Sequence, residues 1–375
     1  MKIKELLLKH IVGILTAEEE KELVKWRERH PSHEAYLEKL ASRHDYSERY
    51  LQYKKKHPNR KKLFIKTWCM RAATWLLPLI LVAGIGYFIY GKPQVERIMP
   101  GSSKAELYLE NGSRVALMDE TEPVWICVDE NSLVENRKGT LCYQSEKNVA
   151  ESETVQTNKL KTPRGGEYRV VLPDGTKVRL NAFSVLTYPT KFTGDKRVVE
   201  LEGEAYFEIA KDTLHPFIVK ANGLEIRQYG TKFTVNARSA QATTVVLEEG
   251  SIAVYPEGKE ELRMITPGEI VKWSKSANHL TVMRSVKDLK ILTAWHHDRF
   301  IFENEPLSKV MEQISLWYDV DFRFQDTDIA FMKFTGNLGR YADVKMLLDA
   351  IEAVANIRVK IEDKRILLMN ETTIN

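Results

Sequence analysis

The sequence predicts a multidomain membrane protein with a small all-α module, one transmembrane helix, an all-β body and a C-terminal α/β domain. Three observations predict this class: a long uncharged apolar run, closely spaced β-branched runs after it, and two helix-period apolar stripes near the end. The chain has 375 residues with 56 Lys+Arg and 52 Asp+Glu, so its length suggests two or three domains. Its three cysteines are too few for a disulfide scaffold.

Residues 1–53 have the pattern of three short helices. Apolar residues recur at helical spacing, and Thr16 with Glu19 three positions later has the spacing of a capping box that starts the second helix. A module of this size buries only a small fraction of its surface and gains little stability from it. Its apolar residues therefore form either its own core or a helix surface that binds a partner. These residues are Leu6, Leu7, Ile11, Leu23, Trp26, Leu37 and Leu40.

The interval 72–91 contains no charged residue and has the length of a helix that spans a bilayer. A buried helix of a soluble protein is the alternative, but such helices are rarely apolar on every side. The run begins too late for a cleavable signal peptide, so we expect an uncleaved anchor with aromatic residues near both ends. The residues that characterise the span are Trp75, Pro78, Gly84, Gly86, Tyr87 and Tyr90.

The flanks of this run predict its orientation. The interval 54–71 carries eight basic and no acidic residues, whereas few basic residues follow the span directly. The positive-inside rule therefore places the N-terminus in the cytoplasm and the C-terminus outside the inner membrane. A nucleic-acid patch is the other interpretation of the basic segment; its position beside the span favours anionic lipid, and we expect no direct nucleic-acid partner.

Short β-branched runs broken by turn residues extend from about residue 106 to 273, which indicates a sandwich, a barrel or a body of stacked sheets. Asp174-Gly175 predicts a tight primed hairpin turn. Residues 100–117 align without gaps with residues 163–180, so the segment 92–161 carries a second copy of this strand–turn–strand unit.

We expect residues 274–298 to be a linker and residues 299–370 to form an α/β domain of two βαβ units. Pro306 suits a helix start and Asp343 an N-cap, each before an amphipathic stripe. An edge strand of this domain could accept a strand from a partner. The candidate residues for such an interaction are Phe334, Thr335, Gly336, Asn337 and Leu338.

Motifs for nucleotide binding, nucleophilic catalysis and zinc proteases do not occur, so we expect neither an enzyme nor a cofactor. His296-His297-Asp298 is a poor metal site because adjacent side chains point apart, and we expect no metal. Cys127 and Cys142 lie outside the membrane in this topology, where they either bridge neighbouring strands or remain two buried thiols.

Gly230-Thr231 at a strand entry permits one reaction. In a strained peptide bond the threonine hydroxyl can attack the glycine carbonyl, after which water cleaves the resulting ester. The simpler interpretation is a glycine that allows close approach, followed by a β-branched strand residue, and we favour it.

The stretch 162–273 resembles the FecR family of transmembrane anti-sigma factors. The resemblance rests on TPRGGEYRVVLPDGTKVRL, YGTKFTVNA, LEEGSIAVY and TPGEIV. The family commonly has LGTxFNV where this chain has Tyr229 and Thr234 in place of the Leu and Asn. AWHHDRFIFENEPLSKVMEQISLWYDVDFRF with FTGNL is similar to the short α/β domain that ends such proteins in Bacteroidetes, a domain similar to those of secretins and TonB-dependent transporters. LLLKHIVGILTAEEEKELVKW resembles the family's cytoplasmic module.

The resemblance implies a sigma regulator in the inner membrane. Its periplasmic C-terminal domain would receive the signalling domain of a TonB-dependent outer-membrane transporter, and its cytoplasmic helices would bind an extracytoplasmic-function sigma factor. Regulated proteolysis by an intramembrane protease would release the sigma factor, with Pro78, Gly84 and Gly86 weakening the spanning helix. The alternative is a tethered periplasmic structural or glycan-binding module.

Overall fold

The computed structural model describes residues 3, 6, 7, 10, 16–30, 32–35, 97–129, 132–143, 155–228, 230–259 and 262–370. The chain divides into two compact units, Met1–Gln94 and Val95–Asn375. The expected basic segment and membrane span, 54–71 and 72–91, lie outside the described residues. Among the residues that are described, none forms a helix with the length and apolar character needed to cross a membrane.

The first unit contains helix α1 (Ala17–Arg27), which begins where the sequence predicts. Thr16 is its N-cap, and the capping box with Glu19 is complete: each side chain accepts a hydrogen bond from the backbone N–H of the other residue. Ile3, Leu6, Leu7 and His10 are helical as well, and so are residues 32–35. These positions agree with three short helices.

In the second unit, eighteen strands of the described residues form one hydrogen-bonded β body. In chain order they are β1 (Ser102–Tyr108), β2 (Arg114–Met118), β3 (Val124–Asp129), β4 (Ser132–Arg137), β5 (Thr140–Tyr143), β6 (Thr157–Thr162), β7 (Gly166–Val171), β8 (Lys177–Leu180), β9 (Ser184–Pro189), β10 (Arg197–Glu208), β11 (Phe217–Ala221), β12 (Leu224–Gln228), β13 (Lys232–Ser239), β14 (Ala242–Glu249), β15 (Ile252–Pro256), β16 (Arg263–Ile265), β17 (Glu269–Ser274) and β18 (His279–Arg284).

The strand pairings give two packed sheets, which share β10 and are also joined by the β1–β7 pair, so the body combines features of the predicted sandwich and barrel. One sheet has the order β2-β1-β6-β9-β10-β11-β12-β15-β16. The other has the order β3-β4-β5-β7-β8-β10-β13-β14-β17-β18. Buried side chains from both sheets form a single core cluster. The core therefore lies between the layers.

Strand β10 belongs to both sheets. Its first half pairs with β9 and β11, and its second half with β8 and β13. The change of sheet occurs at Gly203, whose φ is +94° and whose added Cβ would lie 2.5 Å from the Ser184 hydroxyl oxygen. Glycine is needed here because other residues rarely adopt this φ and a side chain would not fit. The interval 197–208 is thus one bent strand that contributes to both sheets.

The predicted hairpin at Asp174-Gly175 forms, but its turn differs from the prediction. Of the loop residues only Gly175 has a positive φ, +83°, and the Gly175 N–H donates to the Leu172 carbonyl at 2.8 Å. This is a three-residue loop ending in a glycine, whereas a primed two-residue turn requires a positive φ earlier in the loop.

The predicted internal repeat is also present as structure. β1 and β2 form a hairpin whose Gly112 N–H donates to the Leu109 carbonyl at 3.0 Å, with a φ of +84° at Gly112. These residues are the sequence equivalents of Gly175 and Leu172, 63 positions earlier. β1 also pairs in parallel with β7, the first strand of the second copy. The two copies of the hairpin are therefore hydrogen-bonded to one another through their first strands.

The interval 274–298, which we expected to be a linker, contains regular structure. β18 pairs with β17 and extends the β body. Helix α2 (Val286–Thr293) follows, with Ser285 as its N-cap, and leads into a 3-10 helix (Ala294–His297). These elements connect the β body to the C-terminal domain, and the interface between the two is called the junction below.

The C-terminal domain has the expected element order but not the expected sheet. Its elements are β19 (Arg299–Pro306), α3 (Leu307–Tyr318), β20 (Asp321–Phe324), a 3-10 helix (Thr327–Phe331), β21 (Lys333–Gly339), α4 (Val344–Ala355), β22 (Ile357–Glu362) and β23 (Arg365–Asn370).

Helix α3 begins after Pro306, and α4 is capped by the Asp343 carboxylate, which accepts from the Lys345 N–H at 2.8 Å. β19 pairs with β21, whereas β20 and β22 both pair with β23. Each helix therefore connects strands of two different sheets. The prediction of two βαβ units is wrong because a βαβ unit places both of its strands in one sheet.

Candidate functional site

The candidate sigma-factor residues of the first unit are only partly described. Leu6, Leu7 and Leu23 are buried and form one cluster, against which Trp26 packs. The Trp26 ring stacks on His33, with centroids 4.0 Å apart. This packing favours a core role for the three leucines, while their contact with a sigma factor stays a prediction. Ile11, Leu37 and Leu40 lie outside the described residues.

The candidate edge strand for the transporter is β21. Its backbone pairs with β19 on one side, and no other described strand pairs with it. Phe334 is 1% exposed and belongs to the hydrophobic core of the C-terminal domain, so its side chain anchors β21 to that core. Thr335 and Asn337 are exposed, and Gly336 and Leu338 are partly buried.

The sequence did not predict the polar cluster that joins the β body to the C-terminal domain. Arg340 is 1% exposed and follows β21 directly. Its guanidinium donates to the Trp295 carbonyl at 2.9 Å and to the Asn181 amide oxygen, and it lies over the Trp317 ring, 3.7 Å from the centroid. Burial lowers the pKa of Arg340 to about 10, against the opposing effect of Glu167, so the group remains protonated at neutral pH.

Arg179 on β8 forms the second half of this cluster. It donates to both oxygens of the Glu167 carboxylate at 2.9 and 3.1 Å, to the Asp298 carboxylate at 2.6 Å and to the His296 carbonyl at 2.8 Å. Burial opposes the charged form, but the two carboxylates together raise the pKa of Arg179. The Tyr341 hydroxyl also donates to Glu167, at 2.9 Å. Strands of the body thereby hold the segment that leads into the C-terminal domain.

Close backbone contacts fix the same junction from the other side. An added Cβ at Gly101 would lie 2.5 Å from a carbon of the Trp317 ring, so only glycine allows this approach. The Gly165 N–H donates to the Leu316 carbonyl at 2.7 Å. Arg164 donates to the Asp321 carboxylate at 2.8 Å and to the Val320 carbonyl. Body and C-terminal domain therefore share specific polar and steric contacts.

A groove of about 950 Å³ runs along this junction. One wall comes from the body and the other from α3 and β19. Phe183 lines it with a φ of +56° and 59% of its surface exposed, an uncommon conformation for a large side chain. Further lining residues are Ala182, Arg238, Phe300, Lys309, Glu312 and Leu316.

The Gly230-Thr231 bond lies beside a pocket of about 230 Å³. Gly230 has a φ of +148°, and its N–H donates to the Gln228 side chain at 2.8 Å. Thr231 is 5% exposed, and in the described part of the chain its hydroxyl oxygen has no hydrogen-bond partner. Glu208 and Glu249 also line this pocket.

Of the two alternatives for Cys127 and Cys142, the structure does not contain the disulfide. Cys127 lies on β3 and Cys142 on β5, and β4 separates these two strands. Strands two positions apart are about 9.5 Å from one another, beyond the reach of a disulfide. The thiols are not bonded to one another. Cys127 is exposed, so the alternative of two buried thiols is not met either.

His296 and His297, which the sequence analysis judged a poor metal site, lie close to Glu248 of the β body. His296 and His297 have ring centroids 4.2 Å apart despite being adjacent in sequence. The His296 Nε2 lies 3.1 Å from the Glu248 carboxylate of β14. Burial, followed by the charge of His296, lowers the pKa of His297.

Comparison with known proteins supports the resemblance seen in the sequence. Residues 158–253 match the family described as FecR protein, and residues 299–368 match the family described as FecR, C-terminal. Two crystal structures of a "putative anti-sigma factor" from Parabacteroides distasonis are 28% identical to this chain, with TM-scores of 0.51. They cover 57% and 58% of this chain and 99% and 100% of their own.

Comparison with curated proteins yields no match. The two family matches and the structural neighbour together support a sigma regulator of the FecR type, and this class implies a sigma factor as a partner.

Proposed function

We propose that the chain is an anti-sigma factor that relays a signal from a TonB-dependent outer-membrane transporter to a cytoplasmic extracytoplasmic-function sigma factor. The observation that carries the proposal is the order of the two FecR matches, 158–253 and 299–368, on a fold like that of a "putative anti-sigma factor". In this account the second unit receives the signal and the first holds the sigma factor.

The sigma factor binds the helical module of residues 1–53. Leu6, Leu7 and Leu23 keep the module folded, while Val24 on α1 is 44% exposed and Trp26 is partly buried. A helix with one buried and one accessible apolar surface suits a helix-in-groove interaction.

Co-purification tests this step. The tagged full-length chain should retain a sigma factor, a chain lacking residues 1–35 should not, and a chain lacking residues 299–375 should retain it as the control. A full-length chain that retains no sigma factor would contradict the proposal, and glycan binding by the same preparation would favour the tethered periplasmic module.

The transporter's signalling domain docks on the C-terminal domain. Support comes from the open edge of β21 and, separately, from the groove between the β body and the C-terminal domain, where Phe183 keeps its side chain exposed in an uncommon backbone conformation. Conformations of this kind are concentrated at functional sites. The cluster around Arg340 fixes the groove's two walls to one another, so an occupant would meet a preformed surface.

Regulated proteolysis within the membrane releases the sigma factor. The span 72–91 holds Pro78, Gly84 and Gly86, which weaken a helix and let a protease reach the backbone. We expect the double variant Gly84→Leu with Gly86→Leu to slow release, as measured by the accumulation of the cleaved cytoplasmic fragment. An unchanged cleavage rate would remove this step.

Self-cleavage at Gly230-Thr231 is a second candidate activity, and the unpartnered Thr231 hydroxyl favours it. The hydroxyl oxygen would attack the Gly230 carbonyl carbon, the C–N bond would break and the freed amine would take the hydroxyl proton. Water would then hydrolyse the ester. A purified full-length chain should yield two fragments and Thr231→Ala none. A wild-type chain that stays intact would exclude self-cleavage without affecting the relay.

A further inference from the structure

The histidines at the end of the junction and one carboxylate of the β body lie together although they are distant in sequence. Glu248 is at the end of β14, and His296 and His297 are in the 3-10 helix before β19. One ligand atom from each residue lies within 4.8 Å of the others. The Glu248–His296 separation, 3.1 Å, is close to the spacing of two ligands on one tetrahedral ion, about 3.3 Å from metal–ligand distances near 2.0–2.1 Å.

The surroundings hold these groups in place. The His296 ring stacks on Tyr206, with centroids 4.1 Å apart, and its side chain is 5% exposed. Arg179 donates to the His296 carbonyl and so fixes the backbone of the 3-10 helix. His297 is exposed, and together with His296 it lines a pocket of about 500 Å³ that leaves room for a further ligand such as water.

The neighbourhood contains both acidic and basic side chains, and Glu248 supplies the carboxylate that lies against the two histidines. Arg179 donates to the His296 carbonyl, and the Glu167 and Asp298 carboxylates both pair with it. Arg169 and Lys177 also line the pocket. Glu208 lines the same pocket, whereas Glu249, the residue after Glu248, pairs with Lys232 at 2.7 Å. Two imidazoles and a carboxylate form a nitrogen and oxygen donor set that suits zinc and related divalent transition ions.

We propose that Glu248, His296 and His297 form a binding site for a divalent transition-metal ion of the zinc type. The bound ion joins β14 of the body to the segment that enters the C-terminal domain, and so strengthens the junction. The site is independent of the sigma factor and of the transporter, so the proposed function and this inference can fail separately.

Calorimetric titration of zinc chloride into the purified full-length chain, after chelator treatment and removal of the chelator, tests the site. The wild type should bind one equivalent at this site with a Kd of about 10 µM or below. His297→Ala and Glu248→Gln should each weaken that binding by about tenfold or more, since each removes one of three protein ligands. His279→Ala, an exposed histidine on β18, is the matched control and should bind as the wild type does.

Equal zinc binding by the wild type and both site variants would overturn the proposal, as would a wild type that binds no zinc. Thermal unfolding in the presence of chelator shows whether the variants are folded. Hydrogen exchange of the wild type gives a measurement that needs no variant. Zinc should slow exchange in the peptides that contain β14 and residues 294–298, and unchanged exchange there would contradict the site.

Discussion

Arg340 joins segments that are far apart in the sequence. Its guanidinium contacts Trp295, Asn181 and Trp317, and its backbone N–H donates to the Asp298 carbonyl at 3.0 Å. A buried cation is tolerated only when its hydrogen bonds are made, so the position specifies an arginine rather than an apolar residue.

We therefore expect Arg340→Met to destabilise the protein by about 3 kcal/mol, because it leaves buried acceptors without a donor. Chemical denaturation of the full-length chain, followed through the unfolding transition of residues 95–375, measures this change in the free energy of unfolding. Arg263→Met removes an exposed arginine from β16 and should alter stability by no more than about 0.5 kcal/mol. Equal free energies of unfolding for Arg340→Met and Arg263→Met would show that the buried cluster makes no net contribution to stability.

Gly101 is a second residue that is needed at the interface, because a Cβ atom there would clash with Trp317. Gly101→Ala places its Cβ against the rigid Trp317 ring, and we expect a loss of about 1–3 kcal/mol. Gly194→Ala adds the same atom where no heavy atom lies within 4 Å, and should be neutral or slightly stabilising. Unfolding midpoints of the two variants give the comparison, and a Gly101→Ala protein as stable as the wild type would contradict the close approach.

At the scale of secondary-structure elements, local patterns predicted where three of the helices begin. The capping box at Thr16, the proline before α3 and the N-cap Asp343 all appear at the expected positions. These features succeed because the residues that create them are neighbours in the chain. The repeated hairpin was visible for the same reason.

Partnerships between distant segments could not be predicted from these patterns. Periodicity identifies β20 as a strand but does not show that it pairs with β23 rather than lying beside β19. The bend of β10 depends on a serine that approaches Gly203 from β9. Likewise, nothing near Arg340 in the sequence indicates Asn181 as its partner, and Glu248 lies 48 positions before His296.

The β21 edge gives the prediction that belongs to this scale. A lysine on an edge strand discourages strand addition, so Thr335→Lys should weaken binding of the transporter's signalling domain by about tenfold or more. The same change at Thr281, exposed on β18, is the control and should leave affinity unchanged. Calorimetric titration with the purified signalling domain measures both. Equal affinities would exclude β21 as the docking edge and leave the groove beside Phe183 as the candidate surface.

At the scale of the whole molecule, the proposed relay requires residues 1–71 to lie in the cytoplasm and residues 92–375 to lie in the periplasm. The uncharged interval 72–91 and the basic segment before it predict this arrangement. A sigma factor is reached only from the cytoplasm and a transporter's signalling domain only from the periplasm. The relay therefore depends on this topology more than on any single contact.

A pair of reporter fusions tests the topology most directly. Alkaline phosphatase fused after Asn375 should be active, because the enzyme requires the oxidising periplasm, and the same enzyme fused before Met1 should be inactive. The chain should also stay with the membrane after carbonate extraction. An inactive C-terminal fusion that is nevertheless produced at full length, or a chain that carbonate releases, would contradict the central claim.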